Sequence, residues 1–241
     1  MPPPARLARA MRLLARMSAV RAPRVTIHYA QTLDGRIAAR DGSSRWISSE
    51  RSLRFAHRLR SEHDAVMVGV GTVLADDPRL TVRLVEGSSP LRVIVDSALR
   101  IPLEARVVVD GAADTLVATT ARAPAERAAA LRERGVDVQL TIADAHGRVD
   151  LHELLAQLAD RGVSSVLIEG GRELITSALR ERIVDRLVVC IAPKILGRGI
   201  DAIGDLDLLL EDAIELVGAE VRRLGPDLIL DAVLERVALA V

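Results

Sequence analysis

Aromatic side chains are nearly absent from this 241-residue sequence, which contains only Tyr29, Trp46 and Phe55. Base-stacking platforms for single-stranded nucleic acid need more rings than that. The formal net charge is zero, because 33 basic residues balance 33 acidic ones, whereas nucleic-acid-binding surfaces normally leave a basic excess. Both features argue against nucleic acid as a partner.

Cysteine and histidine are too sparse for the common structural and metal sites. Cys190 is the only cysteine, which excludes an intramolecular disulfide and a thiolate cluster. Its apolar neighbours indicate an inert thiol in a buried strand. None of the five histidines has a second histidine four residues away, so a helical zinc pair is absent and we predict no metal site.

Long apolar runs are absent as well. No run approaches the roughly 18 residues of a membrane span, and arginines interrupt the N-terminal apolar residues that a signal peptide would need. We therefore expect a cytosolic protein with no membrane partner. Lys194 is the only lysine among 33 basic residues, a bias that indicates a GC-rich genome more than a function.

Apolar residues make up 49% of the chain and charged residues 27%, the balance of a globular domain. Residues 1–23 stand apart, because they carry five arginines and no acid occurs before Asp34. We interpret them as a frayed, flexible basic arm without a catalytic role, with a basic amphipathic leader as the alternative. Residues 24–241 are expected to form a single domain.

Apolar runs of strand length alternate with helix-like segments from Val25 onward. The predicted strands are residues 25–30, 65–70, 91–95, 116–120, 136–142, 163–168 and 187–191. The predicted helices are residues 49–60, 125–134, 151–160 and 174–182, the first with Ser48 as N-cap. This alternation predicts a largely parallel sheet with helices on both faces.

The C-terminal part follows a different pattern. Two extended segments, 214–224 and 228–236, are separated by Gly225-Pro226-Asp227, which is a hairpin signal. The predicted fold class is therefore α/β, with a mixed, mostly parallel sheet that ends in an antiparallel hairpin.

Two glycine turns follow buried strands. Gly71 and Thr72 follow one strand, and Gly170 and Gly171 follow another just before a helix. Glycine at such a turn lets backbone N–H groups approach a phosphate, and a helix start favours the anion. Complete G-x-G-x-x-G and Walker A motifs are absent, and tight strand-to-helix turns also need glycine, so each turn alone has a structural alternative.

Two charged residues next to these turns also have two interpretations. Asp34, in TLDG after the first strand, is either a turn-forming residue or a site residue. Arg60 flanks the apolar face of its predicted helix, so it needs a partner. A substrate phosphate or carboxylate would serve, and so would an internal aspartate.

Six stretches carry a resemblance to a known family. In chain order they are VTIHYAQTLDGRIA, SSRWISS, LRSEHDAVMVGVGTVLADDPRLTVR, LRVIVDS, VLIEGGRELITSAL and IAPKILGRG. Over about residues 24–236 they closely resemble the reductase domain of riboflavin biosynthesis, which occurs alone or fused behind a zinc deaminase. The resemblance implies a dihydrofolate-reductase-like fold and NADPH as cofactor. It also implies reduction of a 5′-phosphorylated ribosylamino-pyrimidine to its ribitylamino product.

The resemblance also implies roles for individual residues. The positions that match cofactor contacts are Ala30, Trp46, Thr72, Asp76, Gly171, Arg172, Glu173 and Leu174. The positions that match substrate contacts are Ser44, Arg60, Leu80, Arg83 and Glu169. Asp34 and Glu169 are candidates for polar or proton-transfer roles, and Arg60 with Arg83 for gripping the 5′-phosphate.

Two departures from the family pattern affect the substrate and the partners. His28 stands where the bifunctional enzymes commonly have lysine and archaeal forms often have asparagine, which leaves open the deaminated or the diamino pyrimidine as substrate. The chain has neither H-x-E nor P-C-x-x-C, so we expect a separate deaminase. A homodimer is expected because relatives are dimers.

Two other functions are alternatives. One is a dihydrofolate-reductase-like enzyme that acts on another pterin or pyrimidine. The other is a non-catalytic nucleotide-binding protein that kept the fold.

Overall fold

A nine-stranded mixed sheet and a two-stranded sheet form the framework of the computed structural model, which describes residues 22–234. The predicted basic arm lies almost entirely outside these residues. The strands, in chain order, are β1 (Arg24–Thr32), β2 (Arg36–Ala39), β3 (Ala65–Gly69), β4 (Leu91–Val95), β5 (Thr115–Thr119), β6 (Asp137–Leu140), β7 (Ser165–Ile168), β8 (Arg186–Ala192), β9 (Gly199–Asp201), β10 (Leu216–Leu224) and β11 (Asp227–Leu234).

The large sheet has the strand order β10-β11-β8-β1-β7-β3-β4-β5-β6. Strands β8, β1, β7, β3, β4, β5 and β6 are all parallel. The hairpin β10–β11 adds to β8 in the antiparallel direction. The carboxyl ends of the parallel strands therefore all lie at the same end of the sheet, where open sheets bind ligands.

Helices cover both faces of the sheet. They are α1 (Glu50–Ser61), α2 (Val70–Asp76), α3 (Arg106–Val109), α4 (Ala125–Arg132), α5 (Leu151–Asp160) and α6 (Arg172–Arg180). Helices α5 and α6 pack on the face to which Val25 and Ile27 of β1 point. Helices α2, α3 and α4 pack on the opposite face against Val66 and Val68 of β3, and α1 packs on that face near β8.

These features confirm the predicted fold class, with helices on both faces and an antiparallel hairpin at the end. The sequence interpretation missed five elements: the strands β2 and β9, the short helices α2 and α3, and a single-turn 3-10 helix at Leu210–Asp212. These elements are too short to show a clear hydrophobic period. Within residues 22–234, no helix combines the length and the apolar character that a bilayer crossing demands.

The start of α1 differs from the prediction. The helix begins at Glu50, and the N-cap is Ser49 rather than Ser48, without a hydrogen bond from the cap side chain. The acceptor is instead Asp227 of β11, whose Oδ2 receives the Ser49 N–H at 2.8 Å and the Ser52 hydroxyl at 2.6 Å. A strand remote in sequence thus supplies the acceptor that a local cap usually supplies.

Candidate active site

A cavity of about 1120 Å³ lies at the carboxyl ends of the parallel strands, between the ends of β1, β3, β4 and β7 and the inner face of α1. Every predicted site residue except Asp34 lines it. These residues are Ala30, Ser44, Trp46, Arg60, Thr72, Asp76, Leu80, Arg83, Glu169, Gly171, Arg172, Glu173 and Leu174. The fold thus brings the predicted cofactor and substrate positions together in one space.

A buried ion pair stands in the wall of this cavity. Arg60 of α1 donates to both carboxylate oxygens of Glu169, from Nε at 2.7 Å and from Nη2 at 2.6 Å. Its Nη1 donates to the carbonyl of Thr81 at 3.0 Å. Of the two partners that the sequence left open for Arg60, the structure supplies the internal one, and it is a glutamate rather than an aspartate.

The pair is charged at neutral pH. Burial alone would raise the pKa of Glu169, but the charge and hydrogen bonds of Arg60 bring that pKa below its usual range. Burial likewise opposes the charge of Arg60, and Glu169 outweighs it, so the pKa of the guanidinium is raised. Glu169 is therefore a carboxylate that accepts hydrogen bonds, which favours the polar role predicted for it over a proton-donating one.

His57 lies one turn before Arg60 on α1, and the sequence analysis assigned it no role. Its Nδ1 accepts the backbone N–H of Arg83 at 2.9 Å, so the ring proton resides on Nε2 when the imidazole is neutral. Burial, followed by the charges of Arg60 and Arg83, lowers the pKa of His57 to about 4. The spacing from Arg60, three residues on one helix, was the sequence signal that could have found it.

His28 of β1 also lines the cavity. Its Nδ1 donates to the carbonyl of Val188 at 3.0 Å. Burial lowers the pKa of His28 although Glu169 opposes that shift, so the ring is neutral and Nε2 is a hydrogen-bond acceptor. The side chain of His28 therefore offers the cavity a neutral hydrogen-bond acceptor.

The second glycine turn forms a close backbone approach beside α6. Gly171 is the N-cap of α6 with φ of +84°, and no side chain caps the helix. A Cβ on Gly171 would lie 3.1 Å from the hydroxyl oxygen of Thr72. The N–H groups of the first turn of α6 thus have no side-chain acceptor, which suits a ligand phosphate.

Arginines without acidic partners line the same cavity. Arg83 donates to the carbonyl and hydroxyl oxygens of Thr81. Arg79, Arg100 and Arg122 have exposed side chains in the lining, and within residues 22–234 none of them forms an ion pair. The cavity is therefore suited to an anionic ligand.

Trp46 belongs to a loop that is held to α2. The Ser44 hydroxyl donates to Asp76 Oδ1 at 3.2 Å, and Nη2 of Arg45 donates to the Asp76 carbonyl at 2.9 Å. The indole of Trp46 lines the cavity although the residue is 65% exposed. A ring that is open to solvent on one side is available for stacking on a ligand.

Asp34 lies outside the cavity lining. Its carboxylate accepts hydrogen bonds from the Thr32 hydroxyl and from the backbone N–H groups of Leu196 and Gly197. These bonds, that of Thr32 foremost, lower the pKa of Asp34 to about 2. The structure thus supports the turn-forming interpretation of Asp34 over the proton-transfer role, because the carboxylate joins two loops and does not face the ligand space.

Known proteins are similar to this chain in sequence and in fold. Riboflavin biosynthesis protein RibD of Aquifex aeolicus is 41% identical over 210 residues, which cover 86% of this chain and 57% of that protein. The 2,5-diamino-6-ribosylamino-4(3H)-pyrimidinone 5′-phosphate reductase of Methanothermobacter thermautotrophicus is 44% identical over 216 residues, which cover 87% of this chain and 97% of that protein. The chain thus spans little more than half of the RibD protein and nearly all of the archaeal one.

Solved structures show the same fold. RibD of Acinetobacter baumannii superposes with a TM-score of 0.78 at 27% identity, over 92% of this chain and 60% of that one. The riboflavin biosynthesis reductase Rib7 of Saccharomyces cerevisiae gives a TM-score of 0.70 at 27% identity, over 89% of this chain and 90% of that one. Residues 23–230 match the sequence profile of the RibD C-terminal domain. This chain therefore belongs to the RibD C-terminal domain family, as its motifs predicted.

Proposed function

We propose that this chain reduces the ribosyl group of a 5′-phosphorylated ribosylamino-pyrimidine to a ribityl group, with NADPH as the hydride donor. The observation that carries the proposal is that one cavity contains both the buried Arg60–Glu169 pair and the uncapped glycine turn at α6. The archaeal relative that this chain covers almost completely is named for that activity.

The reaction opens the ribose ring and reduces its first carbon. The C1′–O4′ bond breaks, O4′ takes up a proton, and C1′ accepts the hydride that bound NADPH would supply. The chain contributes position and electrostatics. The Glu169 carboxylate, held by Arg60, would accept hydrogen bonds from the sugar hydroxyls. Arg83, in the lining of the same cavity, would supply a cation for the 5′-phosphate.

NADPH fits the residues present. The N–H groups at the start of α6 would receive the pyrophosphate, and the side chain of Trp46 would cover the nicotinamide end. Arg100 and Arg122, which form no ion pair within residues 22–234, line the cavity beyond the β4 and β5 ends. They would provide cations for the 2′-phosphate that distinguishes NADPH from NADH. We expect kcat/KM to favour NADPH over NADH by at least about tenfold, or about 1.4 kcal/mol.

His28 supports the diamino form of the substrate. The deaminated ring presents a carbonyl oxygen where the diamino ring presents an amino group, and a neutral imidazole with Nδ1 committed to Val188 accepts hydrogen bonds. An acceptor complements the amino group and not the carbonyl. We therefore expect a higher kcat/KM with the diamino substrate, and His28→Lys should move the preference toward the deaminated one.

We also propose that the functional unit is a homodimer. Strand β10 is the outer strand of the sheet, and its residues are exposed along nearly its whole length. Such a long exposed edge is unusual unless something covers it. The cytosolic location, the separate deaminase and the boundary of the basic arm stay predictions.

The central test is NADPH oxidation with purified protein and each of the two ribosylamino-pyrimidine phosphates. Mass spectrometry should detect a product heavier by two hydrogens. Dihydrofolate is the comparison substrate. Faster oxidation with dihydrofolate would favour the alternative reductase, and NADPH binding without turnover of any pyrimidine would favour a non-catalytic nucleotide-binding protein.

Phosphate recognition has its own control. Arg83→Met should lower kcat/KM for the phosphorylated substrate by about tenfold and leave the dephosphorylated analogue within about twofold. Arg58→Met, on the solvated side of α1, should change neither. If Arg83→Met weakens both substrates equally, Arg83 does not read the phosphate.

A further inference from the structure

The only lysine of the chain, Lys194, is hydrogen-bonded to the loop that carries the only tryptophan, Trp46. Lys194 Nζ donates to the backbone carbonyl of Trp46 at 2.6 Å, across 148 residues of sequence. In a chain whose other 32 basic residues are arginines, lysine occurs at the position where a slender point donor meets a single carbonyl oxygen. Arginine presents a wider planar group with five N–H donors.

Lys194 projects from a loop, residues 193–198, that is fixed on its other side. Its carbonyl accepts the N–H of Leu33 at 2.8 Å. The carboxylate of Asp34 accepts the N–H groups of Leu196 and Gly197, at 3.1 and 2.6 Å. Nε of Arg36 donates to the Gly197 carbonyl at 2.8 Å. The β1–β2 turn therefore anchors the segment that carries Lys194.

The Trp46 loop has two independent attachments. Ser44 and Arg45 hold its first part to Asp76 of α2, and Lys194 holds the Trp46 carbonyl. Ser44 matches a substrate-contacting position of the resembling family, and Trp46 matches a cofactor-contacting position. Loss of the lysine bond should thus free the cofactor side and leave the substrate side attached.

We propose that Lys194 is a positioning residue, which fixes Trp46 over the cofactor end of the cavity through the Trp46 carbonyl. This inference rests on the proposed NADPH reduction. In it Asp34 acts through the same loop, by fixing the platform from which Lys194 reaches Trp46.

The test compares Lys194→Met, Lys194→Arg and Arg198→Met. Arg198 is an exposed residue of the same loop, and its side chain has no hydrogen bond within residues 22–234, so its variant is the matched control. The first readout needs no ligand. Because Trp46 is the only tryptophan, fluorescence anisotropy with excitation of the indole reports the mobility of that side chain alone. Lys194→Met should make the indole more mobile and therefore lower the anisotropy.

The second readout is kinetic. Lys194→Met should lower kcat/KM for NADPH by about five- to tenfold, the effect of one charge-assisted hydrogen bond at an exposed site. KM for the pyrimidine should stay within about twofold. Lys194→Arg keeps a cationic donor but presents the wider planar group, so it should recover only part of the lost anisotropy and part of the lost kcat/KM for NADPH. Arg198→Met should behave like the parent protein.

Two results would overturn the inference. One is an unchanged anisotropy in Lys194→Met, because the loop would then not depend on the bond. The other is a rise of KM for the pyrimidine as large as the loss of kcat/KM for NADPH, which would make Lys194 a general structural residue. If no pyrimidine is reduced by any variant, the proposed function fails, whereas the anisotropy comparison still decides whether Lys194 holds Trp46.

Discussion

Arg60 and Glu169 are two opposite charges that burial would penalise if either stood alone. Their side chains are 14% and 11% exposed, and they share two short hydrogen bonds. Removal of one partner from a buried pair leaves an uncompensated charge, whereas removal of both can cost little. A comparison of single and double variants therefore separates the structural share of this pair from its share in the reaction.

Glu169→Gln alone and Arg60→Met alone should each lower the free energy of unfolding by about 3 kcal/mol. The double variant should regain most of that stability, as measured by urea unfolding. Turnover with the best pyrimidine should fall by about 10²-fold or more in Glu169→Gln and should not return in the double variant. Recovery of turnover together with stability would mean that the pair serves only the fold.

His57 should make stability depend on pH. Its pKa is about 4 in the folded protein against an ordinary value of 6.5. Between these values the unfolded chain binds a proton that the folded chain does not, so the free energy of unfolding falls as the pH is lowered through that window. His57→Gln keeps an acceptor for the Arg83 N–H and does not titrate, so it should reduce the slope, to which His28 and His63, whose pKa values are also lowered by burial, contribute the rest.

Urea unfolding at several pH values across that window measures the slope. His146→Gln, in an exposed loop, is the control for general effects of histidine removal. A slope in His57→Gln equal to that of the parent protein would assign the pH dependence to other groups.

Gly171 is the glycine whose replacement most directly tests the cofactor site. Its φ of +84° disfavours any side chain, and an added Cβ would approach Thr72. Gly171→Ala should weaken NADPH binding by about tenfold, or about 1.4 kcal/mol, and Gly171→Val by more. Fluorescence titration of NADPH measures the affinity.

Gly162→Ala is the matched control for backbone strain. Gly162 has a similar φ of +86° with no atom within 4 Å of an added Cβ, and it is not part of the cavity lining. It should lose stability without loss of NADPH affinity. Equal affinity losses in the two variants would show that strain, and not the cavity, explains the effect.

At the scale of elements, the start of α1 depends on Asp227. This residue is 1% exposed and accepts the Ser49 N–H and the Ser52 hydroxyl. Asp227→Ala should lower the free energy of unfolding by about 2 kcal/mol, because it leaves two buried donors without an acceptor. Since α1 carries His57 and Arg60, turnover should fall as well.

Ser49→Ala is the control, because it removes only the Ser49 hydroxyl and keeps the Ser49 N–H that donates to Asp227. Removal of the hydroxyl should change the free energy of unfolding by less than about 0.5 kcal/mol. Denaturant unfolding of both variants gives the comparison. A larger loss in Ser49→Ala than in Asp227→Ala would contradict the capping role of Asp227.

At the scale of the whole molecule, β10 offers a self-complementary edge. Val221 at its centre is 65% exposed. Antiparallel pairing of two copies about Val221 would place Glu220 of one copy opposite Arg222 of the other, a favourable cross-strand pair. Val221→Lys should therefore convert a dimer to a monomer at micromolar concentration, as seen by light scattering after gel filtration.

Leu140→Lys is the matched control, because Leu140 is 59% exposed on β6 at the opposite edge of the sheet. It should leave the dimer unchanged. A parent protein that is monomeric, or a Val221→Lys variant that is still dimeric, would contradict the assignment of the interface to β10.

Several features could be predicted from the sequence because their signals are local. The apolar runs of β3 and β4 and the leucine stripe of α5 follow the periods of strand and helix. The turn at Gly225-Pro226 marks the hairpin through its own backbone preferences. The motifs also predicted the family, and the site residues that they singled out line the cavity, with Asp34 as the exception.

The tertiary structure decided which side chains meet. Glu169 reaches Arg60 across 109 residues, Asp34 reaches Gly197 across 163, and Asp227 reaches Ser49 across 178. Each of these partnerships depends on the order of strands in the sheet, which no local pattern records. The sequence by itself therefore determined the main strands and helices of the large sheet, the glycine turns and the family. The fold decided that Arg60 pairs with a glutamate and that Asp34 anchors a loop, because only strand order brings those groups within hydrogen-bond distance.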